Sequence, residues 1–244
     1  MSIFALDYGD YALREDLHAS HEQILDHLRR PGSWLRGAER LAVAAESRSA
    51  AQCGLCRERK AALSPEHARG EHATHTGLAP ALVEVAHRVR TDPGRVTRKW
   101  FDGLLGAGLD EGRYVEAVGI VALVAGIDAM CHALGIEVLA LPEPVDGAPS
   151  GHRPDGLSEG IAWVPLLTPE NAIGPEADLY GGVPMVPNIM RALSLVPDHV
   201  RVLRGWLASH YTLDLLDLTV GRAIDRAQME LVAARVSAIN ECFY

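Results

Sequence analysis

A long, strongly apolar stretch over residues 110–134 constrains the fold of this chain more than any other part of the sequence. A helix formed there carries apolar side chains on nearly every face, at Val115, Val118, Ile120, Val121, Leu123, Val124 and Ile127. Leaving such a helix in water costs roughly 25 cal/mol per Å² of apolar surface, so it has to be covered on most sides. We therefore expect a central helix from Asp110 or Glu111 to Leu134, ended by Gly135, and a homo-oligomer that hides part of its surface.

Helical spacing of apolar residues recurs along the rest of the chain, and no alternating pattern convincingly predicts strands. The first such segment runs over residues 13–29 and ends at Pro31-Gly32, which has the right residues for a helix stop. The other predicted helices cover residues 33 to at least 47, 53–63, 80–90, 96–105, 188–195, 198–211 and 226–240. The polar residues 66–77 are predicted to form a loop. The predicted fold class is therefore all-α.

Residues 141–156 are dense in proline and glycine, so they can neither propagate a helix nor pair well as a strand. A weak internal repeat suggests two related halves, because an Ala-rich segment lies ten residues before Cys53 and a similar one lies ten residues before Cys242. We therefore divide the chain into a helical half, a Pro/Gly-rich linker and a second, incomplete helical half, over residues 1–140, 141–183 and 184–244.

The composition of the chain excludes several classes of function. Its 244 residues are 48% apolar, which is enough for one large domain or two ordinary domains. A formal charge of −9 argues against binding to nucleic acid or to an anionic membrane, because either needs a basic surface to attract phosphates. The N-terminus lacks a basic region followed by an apolar core, and no stretch approaches the roughly 20 apolar residues of a membrane span. We expect a cytoplasmic protein.

The strongest chemical signal is the pair Cys53 and Cys56, two thiols at the start of a predicted helix and beside a block of positive charge. The N–H groups of a first helical turn and a nearby cation stabilise a thiolate over its thiol, which suits reversible thiol–disulfide chemistry. Four cysteines are too few and too unevenly placed for a secreted disulfide scaffold. We expect the close pair to form a reversible disulfide, and Cys131 and Cys242 not to pair with it.

Charged residues near the pair are candidates for moving protons or for lowering the pKa of a thiol. Arg57, Arg59 and Lys60 follow the second cysteine and act either as nearby cations or as a solvated helix face. Glu46 lies seven residues before the first cysteine, two turns along one helical face, and is a candidate proton donor. His87, on the flank of the helix that follows the polar loop, is either a half-exposed boundary residue or a substitute proton relay.

The same cysteines also approximate a zinc site. Cys53 and Cys56 are followed by His67 and His72, or by His72 and His75, and thiolate and imidazole are ligands that zinc prefers. The gap between His72 and His75 is shorter than the usual spacing of about three to five intervening residues. The zinc interpretation stays open beside the redox interpretation.

Four segments of the chain carry a family resemblance. They are the Ala-rich helix that enters Cys53-Gly54-Leu55-Cys56, the stretch Leu109 to Glu116 with Ile127-Asp128, the stretch Val186 to Leu193, and the stretch Glu230 to Cys242. Together these segments resemble the alkylhydroperoxidase D / carboxymuconolactone decarboxylase-like superfamily over most of residues 30–244. The resemblance implies a compact, commonly oligomeric helical fold in which the cysteine pair reduces peroxides and a Glu and a His form a proton relay.

The resemblance implies roles for individual residues. Cys56 is the thiol that attacks the peroxide and Cys53 the thiol that resolves the product. The position of the family's Glu falls on Leu41 and that of its His on Lys60, so the sequence departs from the family's relay. The candidate catalytic residues are Cys53, Cys56, Glu46, Lys60 and His87.

The sequence thus predicts a thiol-dependent hydroperoxide reductase that uses no cofactor. Its partners are a peroxide or another small-molecule substrate and a dithiol reductant. Fold does not fix function, so two non-redox alternatives stay open. One is a decarboxylase-like acid–base enzyme that acts without any thiol, and the other is a helical oligomerisation module that keeps the fold without the relay.

Overall fold

The computed structural model describes residues 4–182, 186–212 and 222–240. Its helices are α1 (Glu15–Arg29), α2 (Gly37–Ser49), α3 (Gly54–Ala61), α4 (Pro80–Thr91), α5 (Arg98–Gly106), α6 (Glu111–Leu134), α7 (Asn188–Arg191), α8 (Pro197–His210) and α9 (Arg226–Ile239). Extended pairing among the described residues is limited to one antiparallel bridge between Ser158 and Leu166. The predicted all-α class is confirmed.

Helix α6 is the central element of the first half, as the sequence predicted. It packs against α1, α2, α4 and α8. Its N-terminus is capped by the Asp110 side chain, which accepts hydrogen bonds from the backbone of the first turn, and it ends at Gly135 in the left-handed conformation with φ 70°. The large apolar residues of α6 are buried or half-buried within the subunit. They therefore give no separate reason to expect an oligomer, which stays a prediction.

Helix α6 is also long and apolar enough to cross a membrane, with 24 residues and a mean hydropathy of 2.0 over its most apolar window. We expected no stretch to approach a membrane span. That expectation was wrong, because α6 has the length and the composition of one. Half of that window is buried inside the fold. The helix also carries the buried carboxylates Glu116 and Asp128, which pair with Arg40 and Arg48 on α2. These properties are those of the core helix of a globular domain.

The chain after α6 returns along the first half of the molecule. The backbone N–H of Val145 donates to the carbonyl of Arg29 at 2.8 Å, and that of Ser150 donates to Gly32 at 3.0 Å. Helix α8 then packs against α1 and α6. The Pro/Gly-rich segment is thus irregular, as its composition predicted, but it is bonded to the residues between α1 and α2.

The predicted second half is only partly described. Helices α8 and α9 lie close to their predicted ranges, whereas α7 ends at Arg191, earlier than expected. Residues 183–185, which precede α7, and Cys242 lie outside the described residues. Glu230, which begins the last of the four segments that carry the resemblance, forms an ion pair with Arg226 at 2.5 Å on α9.

Helices α2, α3 and α4 form the part of the fold that carries the cysteine pair. Helix α2 packs against α4 and α6, and a short 3-10 turn (Ala50–Gln52) then redirects the chain into α3. Helix α2 begins at Gly37 behind Arg36, and not at Ser33 as predicted, because Glu39 bonds back to the Arg36 backbone in a capping box. The polar loop after α3 runs back to the start of α4, which brings residues far apart in sequence together.

Candidate functional site

The cysteine pair opens α3, as predicted. Cys53 is the residue that caps the helix, with extended backbone angles of φ −67° and ψ 125°, and Cys56 lies in its first turn. Both thiols are free and buried, with exposed fractions of 1% and 3%. At this position the backbone N–H of Cys56, in the first helical turn, hydrogen-bonds to the Cys53 sulfur, which favours negative charge there.

Two histidines from different elements meet the sulfurs. His72, in the polar loop, has its Nδ1 atom 3.5 Å from the Sγ atoms of both Cys53 and Cys56. His87, on α4, has its Nδ1 atom 3.3 Å from Cys56 Sγ. The two imidazole rings lie next to each other with centroids 4.3 Å apart. Cys56 therefore contacts both imidazoles, and the two thiols share His72.

The candidate proton donor Glu46 reaches the thiols through His87. Its Oε2 atom lies 2.8 Å from His87 Nε2, and both side chains are almost fully buried. Its other oxygen accepts hydrogen bonds from the hydroxyl groups of Thr74 and Thr76 in the loop. The carboxylate, the imidazole and the Cys56 thiol therefore form one continuous chain of hydrogen bonds.

A second carboxylate, which no local sequence pattern singled out, holds the other imidazole. Glu84 Oε2 lies 2.8 Å from His72 Nε2, and Glu84 also accepts hydrogen bonds from Arg59 Nη1 at 2.9 Å and from Trp100 Nε1 at 2.9 Å. The available signal was its position three residues before His87, because residues at that spacing share one face of a helix. The signal was weak, since many exposed glutamates lie at that distance from a histidine.

The surroundings of the thiols favour the thiolate. Burial raises the pKa of Cys53, but hydrogen bonds from the Cys56 backbone and from His72 outweigh burial and lower that pKa to about 6. Burial likewise opposes ionisation of Cys56, and its contacts with His72 and His87 lower its pKa below the ordinary value. Both thiols are therefore more acidic than an ordinary cysteine.

The pKa values of the imidazoles are raised and those of the carboxylates are lowered. Although burial favours the neutral ring, hydrogen bonds to Cys56 and Glu84 raise the pKa of His72 to about 10, and contacts with Cys56 and Glu46 raise that of His87. Burial disfavours the charged carboxylates, yet their hydrogen bonds lower the pKa of both Glu46 and Glu84 to about 2. The shifts favour the thiolate, the imidazolium and the carboxylate in each path from sulfur to carboxylate, and such a path can transfer protons to and from sulfur.

Other candidate residues lie outside this cluster. Lys60 is exposed, and its Nζ atom donates to the carbonyl of Thr91 at 3.0 Å. Arg57 is exposed, whereas Arg59 joins the cluster through Glu84. Of the two zinc sets considered from sequence, His72 is in the cluster, but its partner is His87 and not His67 or His75. Cys131 is buried in the apolar core, where burial raises its pKa.

Comparisons with models of protein families, with curated proteins and with solved structures found no match to this chain. The resemblance to a family therefore stays an expectation from sequence motifs.

Proposed function

We propose that this protein is a thiol-dependent reductase of small hydroperoxides. The observation that carries the proposal is the continuous chain from Cys56 Sγ through His87 to the Glu46 carboxylate, with separations of 3.3 Å and 2.8 Å. A nucleophile in contact with an acid–base group that a third group orients is the recurring arrangement of activated nucleophiles. The second thiol of the pair, Cys53, supplies the group needed to resolve an oxidised sulfur.

The reaction begins with attack of the Cys56 thiolate on one oxygen of the peroxide. A sulfur–oxygen bond forms as the oxygen–oxygen bond breaks, and the leaving alkoxide takes a proton from His87, whose other nitrogen is held by Glu46. The products are an alcohol, or water from hydrogen peroxide, and a sulfenic acid on Cys56. We assign the attack to Cys56 because its sulfur contacts both imidazoles, whereas that of Cys53 contacts His72.

The second half of the cycle consumes the sulfenic acid. The Cys53 thiolate attacks the Cys56 sulfur, a disulfide bond forms, and the departing hydroxide is protonated by His72 to give water. A dithiol reductant then restores both thiols by exchange and leaves as its own disulfide. Each turnover therefore reduces one peroxide with two electrons from one dithiol.

The burial of both sulfurs bears on the substrate. With 1% and 3% of Cys53 and Cys56 exposed, a small peroxide fits the approach to the sulfur better than a bulky one. We expect hydrogen peroxide to be reduced faster than a bulky aryl hydroperoxide. Equal rates with both would contradict this part of the proposal.

Single substitutions of the two thiols test the assignment. Cys56→Ser should abolish peroxide consumption in the presence of a dithiol. Cys53→Ser should allow one round of attack and leave a sulfenic acid that a dimedone-type reagent traps, which mass spectrometry detects. Cys131→Ala is the matched control and should keep wild-type consumption. A dimedone adduct in Cys56→Ser and none in Cys53→Ser would reverse the two roles, and unreactive thiols in the wild type would refute the proposal.

The role of the relay is tested at the carboxylate. Glu46→Gln keeps the shape of the side chain but removes the charge that stabilises protonated His87. We expect peroxide consumption to fall about 10²-fold, the low end of the range for general acid–base catalysis. Unchanged consumption in Glu46→Gln would show that the carboxylate has no part in the reaction.

A further inference from the structure

Four metal-ligating atoms converge in the cysteine cluster. They are the Sγ atoms of Cys53 and Cys56 and one ring nitrogen each of His72 and His87, and all lie within 4.8 Å of one another. Two thiolates and two imidazoles form a donor set that zinc prefers, whereas calcium and magnesium prefer oxygen ligands. The set differs from both sets that the sequence suggested, because its second histidine comes from α4.

Three sulfur–nitrogen separations in this set match those of tetrahedral zinc ligands. Zinc lies about 2.3 Å from a thiolate sulfur and about 2.0–2.1 Å from an imidazole nitrogen, so tetrahedral ligands place sulfur and nitrogen about 3.5 Å apart. The measured separations are 3.5 Å from His72 to each sulfur and 3.3 Å from His87 to Cys56. Binding of an ion therefore needs little change in these three separations.

The outer contacts of both histidines are those of zinc ligands. Each ring directs Nδ1 toward the sulfurs and Nε2 toward a carboxylate, with 2.8 Å between His72 and Glu84 and 2.8 Å between His87 and Glu46. A carboxylate on the far nitrogen fixes the tautomer and the orientation of a metal-binding imidazole. Arg59 donates a hydrogen bond to Glu84 and thereby fixes the position of that carboxylate.

We propose that Cys53, Cys56, His72 and His87 bind one zinc ion per chain when both thiols are reduced. The proposal rests on the ligand geometry and does not depend on the reductase function. Zinc and the disulfide exclude each other, because both use the same sulfurs. Oxidation of the zinc form by a peroxide consumes two thiolates and two protons. It gives the disulfide, the alcohol, water and a released zinc ion, so zinc would protect the thiols and hold back turnover.

The test is a titration of the full chain, stripped of metal and reduced with a phosphine, against zinc in competition with a chromophoric chelator. We expect one zinc per chain. Cobalt(II) in its place should show the visible bands of a tetrahedral ion and a thiolate charge-transfer band. An octahedral cobalt spectrum without a charge-transfer band would overturn the proposal. So would binding of less than half an equivalent of zinc per chain. Both results come from the wild-type protein, so they do not depend on the folding of a variant.

Substitutions separate the proposed ligands from their neighbours. His72→Ala should weaken zinc binding by more than 100-fold, and Glu84→Gln by about 10–100-fold, the usual effect of removing an outer partner. His75→Ala, at an exposed histidine of the same loop, is the matched control and should leave affinity within about twofold. Equal losses in His72→Ala and His75→Ala would refute the assignment.

The two proposals fail in different ways. Zinc-free, reduced protein that consumes no peroxide, while binding one zinc with thiolate charge transfer, would refute the reductase function alone. Protein that consumes peroxide but binds no zinc would refute the metal site alone. If both hold, added zinc should slow peroxide consumption by wild type, and slow it much less in His72→Ala.

Discussion

The buried ion pair between Arg40 on α2 and Glu116 on α6 allows a sharp test of what holds the fold together. Arg40 Nε lies 3.1 Å from Glu116 Oε1, and both side chains are 1% exposed or less. Arg40 also donates to the backbone carbonyls of His27 at 2.7 Å and Arg30 at 2.9 Å. The pair thus links the end of α1 to the central helix. Arg40→Leu removes the guanidinium and leaves a buried carboxylate without its cation.

The expected cost of Arg40→Leu follows from these contacts. Breaking a buried ion pair from one side costs about 3–5 kcal/mol, because the remaining charge stays buried and unpaired. Glu116→Gln keeps a side-chain oxygen for the backbone N–H groups of Trp34 and Leu35, which donate to Glu116 at 2.7 Å and 3.2 Å, but removes the charge. Adding Glu116→Gln to Arg40→Leu should therefore recover about 1–3 kcal/mol, a normal coupling energy for residues in contact.

The effect should also depend on pH. Burial raises the pKa of Glu116, although Arg40 lowers it in part. Without Arg40 this pKa rises further, and a carboxyl group whose pKa is higher in the folded state contributes stability at low pH that is lost as the pH rises through that pKa. Arg40→Leu should therefore be least destabilising at acidic pH and most destabilising at neutral pH, and the rescue by Glu116→Gln should shrink as the pH falls.

Urea unfolding followed by circular dichroism measures the free energy of unfolding. Wild type, both single variants and the double variant are compared at two pH values. An unchanged m-value shows that each variant loses the same structure. A cost below about 1 kcal/mol for Arg40→Leu at neutral pH would refute the reasoning. So would a double variant less stable than Arg40→Leu alone, because the carboxylate would then not be the source of the cost.

Two further predictions concern the surface. Lys60→Ala should leave the rate of thiol alkylation within about twofold of wild type, because its ammonium is bonded to the carbonyl of Thr91; a drop of tenfold would restore it as a candidate relay residue. Sedimentation at micromolar concentration should show a homo-oligomer, because Leu231 and Ile239 are 71% and 64% exposed on α9, and apolar side chains exposed in a group are typical of interfaces. A monomer alone at that concentration would contradict this expectation.

The site combines residues that local sequence patterns identify with residues that they do not. Cys53 and Cys56 were evident, because their spacing and the helical segment before them are local. Glu46 followed from helical periodicity along α2, although its contact with the thiols is indirect and passes through His87. Lys60 was favoured by its position four residues after Cys56, but its ammonium donates to the backbone carbonyl of Thr91.

The sequence by itself determined the helices, because a helix depends on contacts between residues three or four apart and on stops such as Gly135. Only the tertiary structure decided which imidazoles reach the thiols. His87 is 31 residues from Cys56 and 41 from Glu46 in the chain, and these three meet because α2 and α4 pack against each other and against α6. Burial of apolar faces drives this packing. It makes the helices associate, but the geometry of the packed helices decides which polar side chains meet.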